Sequence, residues 1–126
     1  MTQIIEKIRT PEEVFTSHKE AIETLNFEQL GADYAENAVL LTLDESFIGR
    51  EAILTGFFQT VMAQFPDVKI AYEQITHEDD LWLLKWTAEA SAMTIPVGLG
   101  ILVIEDGFIQ RQVEWFEIVP KEEQHA

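Results

Sequence analysis

The sequence predicts an α+β domain with its helices gathered at the front and an antiparallel sheet behind. Three observations carry that prediction. Apolar residues recur at helical spacing only before Pro66. After Pro66 they fall in alternating or continuous runs of strand length. An Asp106-Gly107 pair then marks a two-residue hairpin between the last two runs. Helices first and a meander afterwards belong to α+β architecture, not to alternating βαβ units.

The elements follow in order. Thr10, Pro11 and Glu13 form a helix start, with Thr10 as cap, Pro11 at the first helical position and Glu13 reaching back. Val14, His18, Ala21, Ile22 and Leu25 continue it as one apolar stripe that includes a histidine. Asn26 caps a short second helix, with Gln29 as its box partner. Residues 38–43 read as a buried strand, and Asp44 to Ser46 turn the chain into a brief edge strand at Phe47 and Ile48. A third helix spans 50–65 and stops at Pro66, whose ring disfavours a helical residue before it. Strands are expected at 68–76, 81–93, 97–105 and 108–118, with a polar turn at 77–80 and a loop around Pro96. Residues 1–9 and 120–126 read as peripheral tails on a single domain whose core runs from about 10 to 118.

Composition narrows the function. The chain has 126 residues, enough for one domain that buries roughly two thirds of its unfolded surface. Eight basic residues face 23 acidic ones, a net charge of -15. Such a surface repels phosphate backbones and anionic lipid, so neither nucleic acid nor membrane is an expected partner. No apolar run approaches the ~20 residues of a membrane helix, and charges interrupt the N-terminal segment where a signal peptide would be apolar. Zero cysteines exclude disulfides and thiolate chemistry and fit a cytoplasmic chain. His18, His77 and His125 lack metal-ligand spacing, and Gly98 and Gly100 precede no helix, so neither a metal nor a phosphate-bearing cofactor is expected.

Strand parity sorts the remaining candidates. On residues 81–93, Trp82, Leu84, Trp86, Ala88 and Ala90 share one face, opposite Lys85, Thr87 and Glu89. On the last strand, Gln112, Glu114 and Phe116 lie opposite Val113 and Trp115. Lys85 is a lone lysine in an apolar strand and needs a counter-charge if buried, which Glu114 or Glu89 can supply.

The order of elements from Asn26 to Phe65, with Phe47-Ile-Gly-Arg-Glu-Ala-Ile53 at its centre, resembles the nuclear-transport-factor-2-like superfamily. The resemblance is to its SnoaL-like and ketosteroid-isomerase-like branches in particular. It implies a cone-shaped, cystatin-like fold in which three N-terminal helices pack on a curved mixed, mostly antiparallel sheet. The concave face of that sheet would enclose a pocket, and the convex face would form a homodimer through Trp82, Trp86, Val113 and Trp115. Gln112-Val-Glu-Trp-Phe-Glu117 looks like the family's last-strand pattern and places Glu114 at the pocket carboxylate. The Arg-x-Asp pair of limonene-epoxide-hydrolase relatives falls on Lys85 and Thr87, which keeps a cation and loses the second carboxylate. In the isomerase branch the helix-borne tyrosine donor falls on His18, the general-base aspartate on Thr42 and the protonated aspartate near Gly100, so that chemistry lacks its base.

The resemblance therefore implies Glu114, Lys85 and His18 as the reactive set. The pocket would be lined by Phe15, Tyr34, Thr42, Phe57, Thr87, Glu89, Gly100, Leu102, Gln112 and Phe116. Plainer readings stand beside these: His18 as a hydrogen-bonded core residue, Lys85 as a rim side chain and Tyr34 as packing under the second helix. The functional expectation is a pocket for a small apolar molecule, with cofactor-free isomerase, cyclase or hydrolase chemistry. The alternative is a non-catalytic ligand-binding or dimerisation module.

Overall fold

The computed structural model describes residues 7–121. Helix α1, Pro11–Thr24, starts as its sequence dictates: Thr10 Oγ1 accepts from the Glu13 amide and Glu13 Oε1 accepts from the Thr10 amide. It ends on Leu25 in the left-handed conformation, with no glycine there to relieve it. Asn26 caps α2, Phe27–Ala32, through the Gln29 amide. The Gln29 side chain makes a different bond from the expected one. Its amide donates to the Ser17 carbonyl and ties α2 to α1.

Strand β1, Tyr34–Leu41, begins four residues before the run that suggested it, where Tyr34 pairs with Ile109 and its carbonyl accepts from Arg50 Nε. A short β2, Ser46–Ile48, pairs with β1. Residues 50–64 are helical, but Ala52–Phe58 is wound as π-helix before α3, Gln59–Gln64, resumes the ordinary winding. The widened turn is the only departure from the expected third helix.

The sheet is then completed by β3, Lys69–Glu78; β4, Leu81–Glu89; β5, Met93–Glu105; and β6, Phe108–Phe116; β7, Val119–Pro120, is a two-residue addition to β5. Its order is β2-β1-β6-β5-β4-β3, with β1 parallel to β6 and every other pairing antiparallel. Asp106 and Gly107 both take positive φ, the conformation a type I′ hairpin requires. The boundary between β4 and β5 differs from expectation. Ala90 donates to the Met93 carbonyl and the Ser91 amide to Asp67, so the chain turns where a continuous strand was expected. Pro96 lies within β5, not in a loop. The register shifts there, so that Pro96 and Val97 face the single Thr87 and the missing proline N–H costs no ladder bond. Further shifts between Tyr72 and Gln74 and between Val103 and Ile104 help curl the sheet.

The core fills the concavity between sheet and helices and is anchored by Val14, Leu30, Tyr34, Leu40, Ile53, Leu102 and Ile109, each fully buried. The expected N-terminal tail is fixed at Arg9. Its guanidinium donates to Asp33 at 2.7 Å and to the Gly107 carbonyl at 2.6 Å, pinning the chain to the β5–β6 hairpin.

Candidate functional site

Two glycines on β5 create the site. Gly98 stands opposite Trp86 on one side and Phe116 on the other; Gly100 stands between Leu84 and Glu114. A Cβ on Gly98 would lie 2.2 Å from the Trp86 ring, and one on Gly100 would lie 2.6 Å from both Glu114 oxygens. The indole and the carboxylate occupy the space those side chains would take, and they meet there. Trp86 Nε1 donates to Glu114 Oε1 at 3.0 Å and Gln112 Nε2 donates to Oε2 at 3.0 Å. The Tyr34 hydroxyl donates in turn to Gln112 Oε1, which fixes the orientation of that amide.

The carboxylate is only 7% exposed, and no arginine or lysine lines its surroundings among the described residues. Burial pushes Glu114 up to about 7, against the pull of its Gln112 and Trp86 hydrogen bonds. Burial also lowers His18 to about 4, so the imidazole is neutral, and its Nδ1 has no hydrogen-bond partner. Burial first, and the nearby Glu114 charge second, hold the Tyr34 and Tyr72 phenols above their ordinary value.

Glu114, Gln112 and His18 line a cavity of about 60 Å³ whose walls are otherwise apolar or aromatic: Ile22, Phe57, Phe58, Tyr72, Leu84, Trp86, Met93 and Phe116 among them. A second, outer groove of about 380 Å³ runs past the β1–β2 turn and the end of β6. Phe57, Val61, Glu114 and Phe116 line both spaces, which adjoin at these residues. The Phe57 and Phe116 rings stand edge to face there, their centroids 6.2 Å apart. Phe57 stands in the π-wound segment.

The structure brings together part of the expected set. Glu114 and His18 line the same cavity, with Phe57, Gln112 and Phe116. Tyr34 sits behind Gln112, and Gly100 lies under the carboxylate. Phe15 and Leu102 are core residues; the Phe15 ring stacks on Trp82 at 4.7 Å. Lys85 is placed elsewhere. It pairs across the sheet with Leu99, which pairs with Trp115, and all three are on the convex face. Its amine reaches Glu73 at 3.7 Å on the surface. Thr87 shares that face, Glu89 is an exposed partner of Lys121 at 2.8 Å, and Thr42 closes the β1–β2 turn through Glu45 and borders only the outer groove. Trp82 and Trp86, expected on the convex face, point inward, because register places Leu84 and Glu114 on one side of Gly100 and Trp86 with them. Val113 and Trp115 are exposed on the convex face.

Sequence reading missed Trp86, Tyr72, Leu84 and Met93 as cavity residues. The signal was present: glycines two apart on a strand, hence on one face, mark where bulky neighbours approach.

The family profile of the SnoaL-like domain matches residues 15–112. No curated protein matches the sequence. Among solved structures, IdmH from Streptomyces antibioticus superposes with a TM-score of 0.75 at 19% identity, covering 86% of this chain and 93% of its own. An NTF2-like protein of unknown function from Cytophaga hutchinsonii gives 0.72 at 18% identity over 90% of this chain and 95% of its own. An epoxide hydrolase of the LEH-like type from M. tuberculosis gives 0.68 at 14% identity, covering 85% and 82%. Shared identities this low speak to the fold; the profile match, spanning most of the chain, establishes that it belongs to the SnoaL-like domain family.

Proposed function

We propose that this protein is a cofactor-free acid–base catalyst for a small, largely apolar substrate, with Glu114 as the proton-transferring group. The observation that carries this reading is a carboxyl held near 7 by burial in an apolar cavity that is also lined by an imidazole with an unpartnered nitrogen. A group titrating near neutrality exchanges protons efficiently in both directions. Gln112 and Trp86 hold the carboxylate in one orientation, so a substrate atom would meet a fixed oxygen. His18, neutral at physiological pH, offers the second polar contact. Isomerase or cyclase chemistry fits this set better than hydrolysis, because among the described residues no second carboxylate lines the cavity to position a water.

A non-catalytic binding role is the second reading, and the cavity's size favours it: about 60 Å³ admits a head group but not a whole polycyclic substrate. Glu114→Gln separates the two. The proposal expects a folded variant that still binds its ligand and loses turnover by ~100-fold or more. Turnover that survives the substitution would leave Glu114 as a binding group only. We also propose a homodimer through the convex face, on the support of the apolar row Leu83, Ile101, Val113 and Leu41, which lie side by side across four strands and are all exposed.

A further inference from the structure

Glu114 lacks the partner that a buried carboxylate normally has. Five cations are engaged elsewhere: Arg9 with Asp33, Lys19 with Glu23, Arg50 with the Tyr34 carbonyl, Lys85 with Glu73 and Lys121 with Glu89. No cationic side chain lines either the inner cavity or the outer groove among the described residues. An ionised carboxylate buried without a cation is costly, and a cation delivered by the ligand would remove that cost.

The surroundings suit such a ligand. Trp86, Tyr72, Phe57 and Phe116 line the cavity beside Glu114, and aromatic faces attract a desolvated ammonium. His18 lines the same cavity, and its buried Nδ1 has no hydrogen-bond partner. Outside, Asp44, Glu45 and Glu117 border the groove on a chain of net charge -15. The field at the entrance therefore attracts cations and repels anions. The groove, at about 380 Å³, is large enough for the body of a small organic molecule, while the inner cavity admits only its head.

We propose that the ligand of this site is an apolar amine: its protonated nitrogen enters the inner cavity against Glu114 and His18, and its apolar body lies along Phe57 and Phe116 in the outer groove. This rests on the reading of the Glu114 cavity as a ligand site and adds the charge of what enters it.

A matched series tests the charge directly. Benzylamine, benzyl alcohol and phenylacetate carry the same ring with a cationic, neutral or anionic head. Binding is measured by calorimetry on the whole protein at ~150 mM salt, where exposed charges are largely screened. The titratable groups facing Glu114 are His18 on α1, Tyr34 on β1 and Tyr72 on β3, with Asp44, Glu45 and Glu117 at the groove. His18 lies near 4 and both phenols above their ordinary value, so none of those three changes charge between about pH 6 and pH 8.

At about pH 8 the amine should bind one to one and at least ~10-fold tighter than the alcohol, with no phenylacetate binding. At about pH 6 that preference should shrink, and amine binding should release a proton, seen as a dependence of the heat on buffer ionisation. Glu114→Gln, isosteric and uncharged, should abolish the preference while still binding the alcohol. Equal affinity for amine and alcohol at pH 8 would overturn this inference and leave the pocket reading standing. An amine preference retained by Glu114→Gln would overturn it too, by assigning the effect to the acidic surface. Failure of all three compounds to bind would instead count against the pocket itself.

Discussion

Glu114 owes its position to two absent side chains. With alanine at 98, the new methyl would meet the Trp86 ring at 2.2 Å, a contact neither the strand nor a buried indole can yield to cheaply. Gly98→Ala should therefore destabilise the fold by about 1–3 kcal/mol and release Trp86 from Glu114, read as a shift in tryptophan fluorescence alongside a urea melt. Unchanged stability would mean that the indole has room to move. Gly100→Ala would act on the carboxylate itself, whose two oxygens stand where the methyl must go. The sequence made Glu114 legible because polar residues at 112 and 114 alternate with Val113 and Trp115. It misled at Lys85. The division of that strand into two faces was right, but the face carrying lysine, threonine and glutamate was taken as the inner one. A face that is apolar at every position, Trp82 through Ala90, belongs inside, and register with Gly98 and Gly100 leaves no other arrangement.

Among the elements, the ends of α1 and α2 and the β5–β6 hairpin were legible because capping and turn chemistry are local. The π-wound stretch Ala52–Phe58 was not, since the apolar pairs Ile53-Leu54, Phe57-Phe58 and Val61-Met62 recur every four residues, close enough to helical spacing to read as an ordinary helix. Nor was the clamp at Arg9. Its partners, Asp33 and Gly107, are 24 and 98 residues away and no periodicity links them. Asp33 is 1% exposed, and Ser17 Oγ donates to its other oxygen at 2.8 Å. Arg9→Ala leaves that carboxylate with only the hydroxyl, so a loss of about 1–3 kcal/mol is expected in chemical denaturation. Arg9→Lys should recover only part of it, since a lysine cannot serve Asp33 and the Gly107 carbonyl in the same fork. A neutral effect of Arg9→Ala would show that the segment before α1 is not held by this contact.

At the scale of the whole molecule, the curved sheet separates two surfaces of different character. The concave side encloses the carboxylate; the convex side carries Leu83, Ile101, Val113, Leu99 and Trp115 in adjoining rows exposed to solvent. A contiguous apolar face of that kind on so acidic a chain fits a self-complementary contact. Ile101→Lys, at the centre of the row, should convert a dimer into a monomer by light scattering without altering the Glu114 cavity on the other face. A wild-type monomer at micromolar concentration would dismiss the dimer.

The central claim is that burial makes Glu114 titrate near neutrality, and it also fixes a pH dependence of stability. The folded value of about 7 lies above the ordinary 4.5, so the native state holds the proton more tightly than the unfolded chain. This contribution is present in full below about 4.5 and is lost as pH rises through about 7, on the order of 3 kcal/mol in all. Its direct test is an NMR titration of the glutamate side-chain carboxyl carbons, with Glu114→Gln identifying the resonance. The account predicts one carboxyl that titrates near 7 and vanishes in the variant. If the Glu114 carbon instead titrates in the ordinary range near 4.5, the group is solvated, and the acid–base role built on it is contradicted.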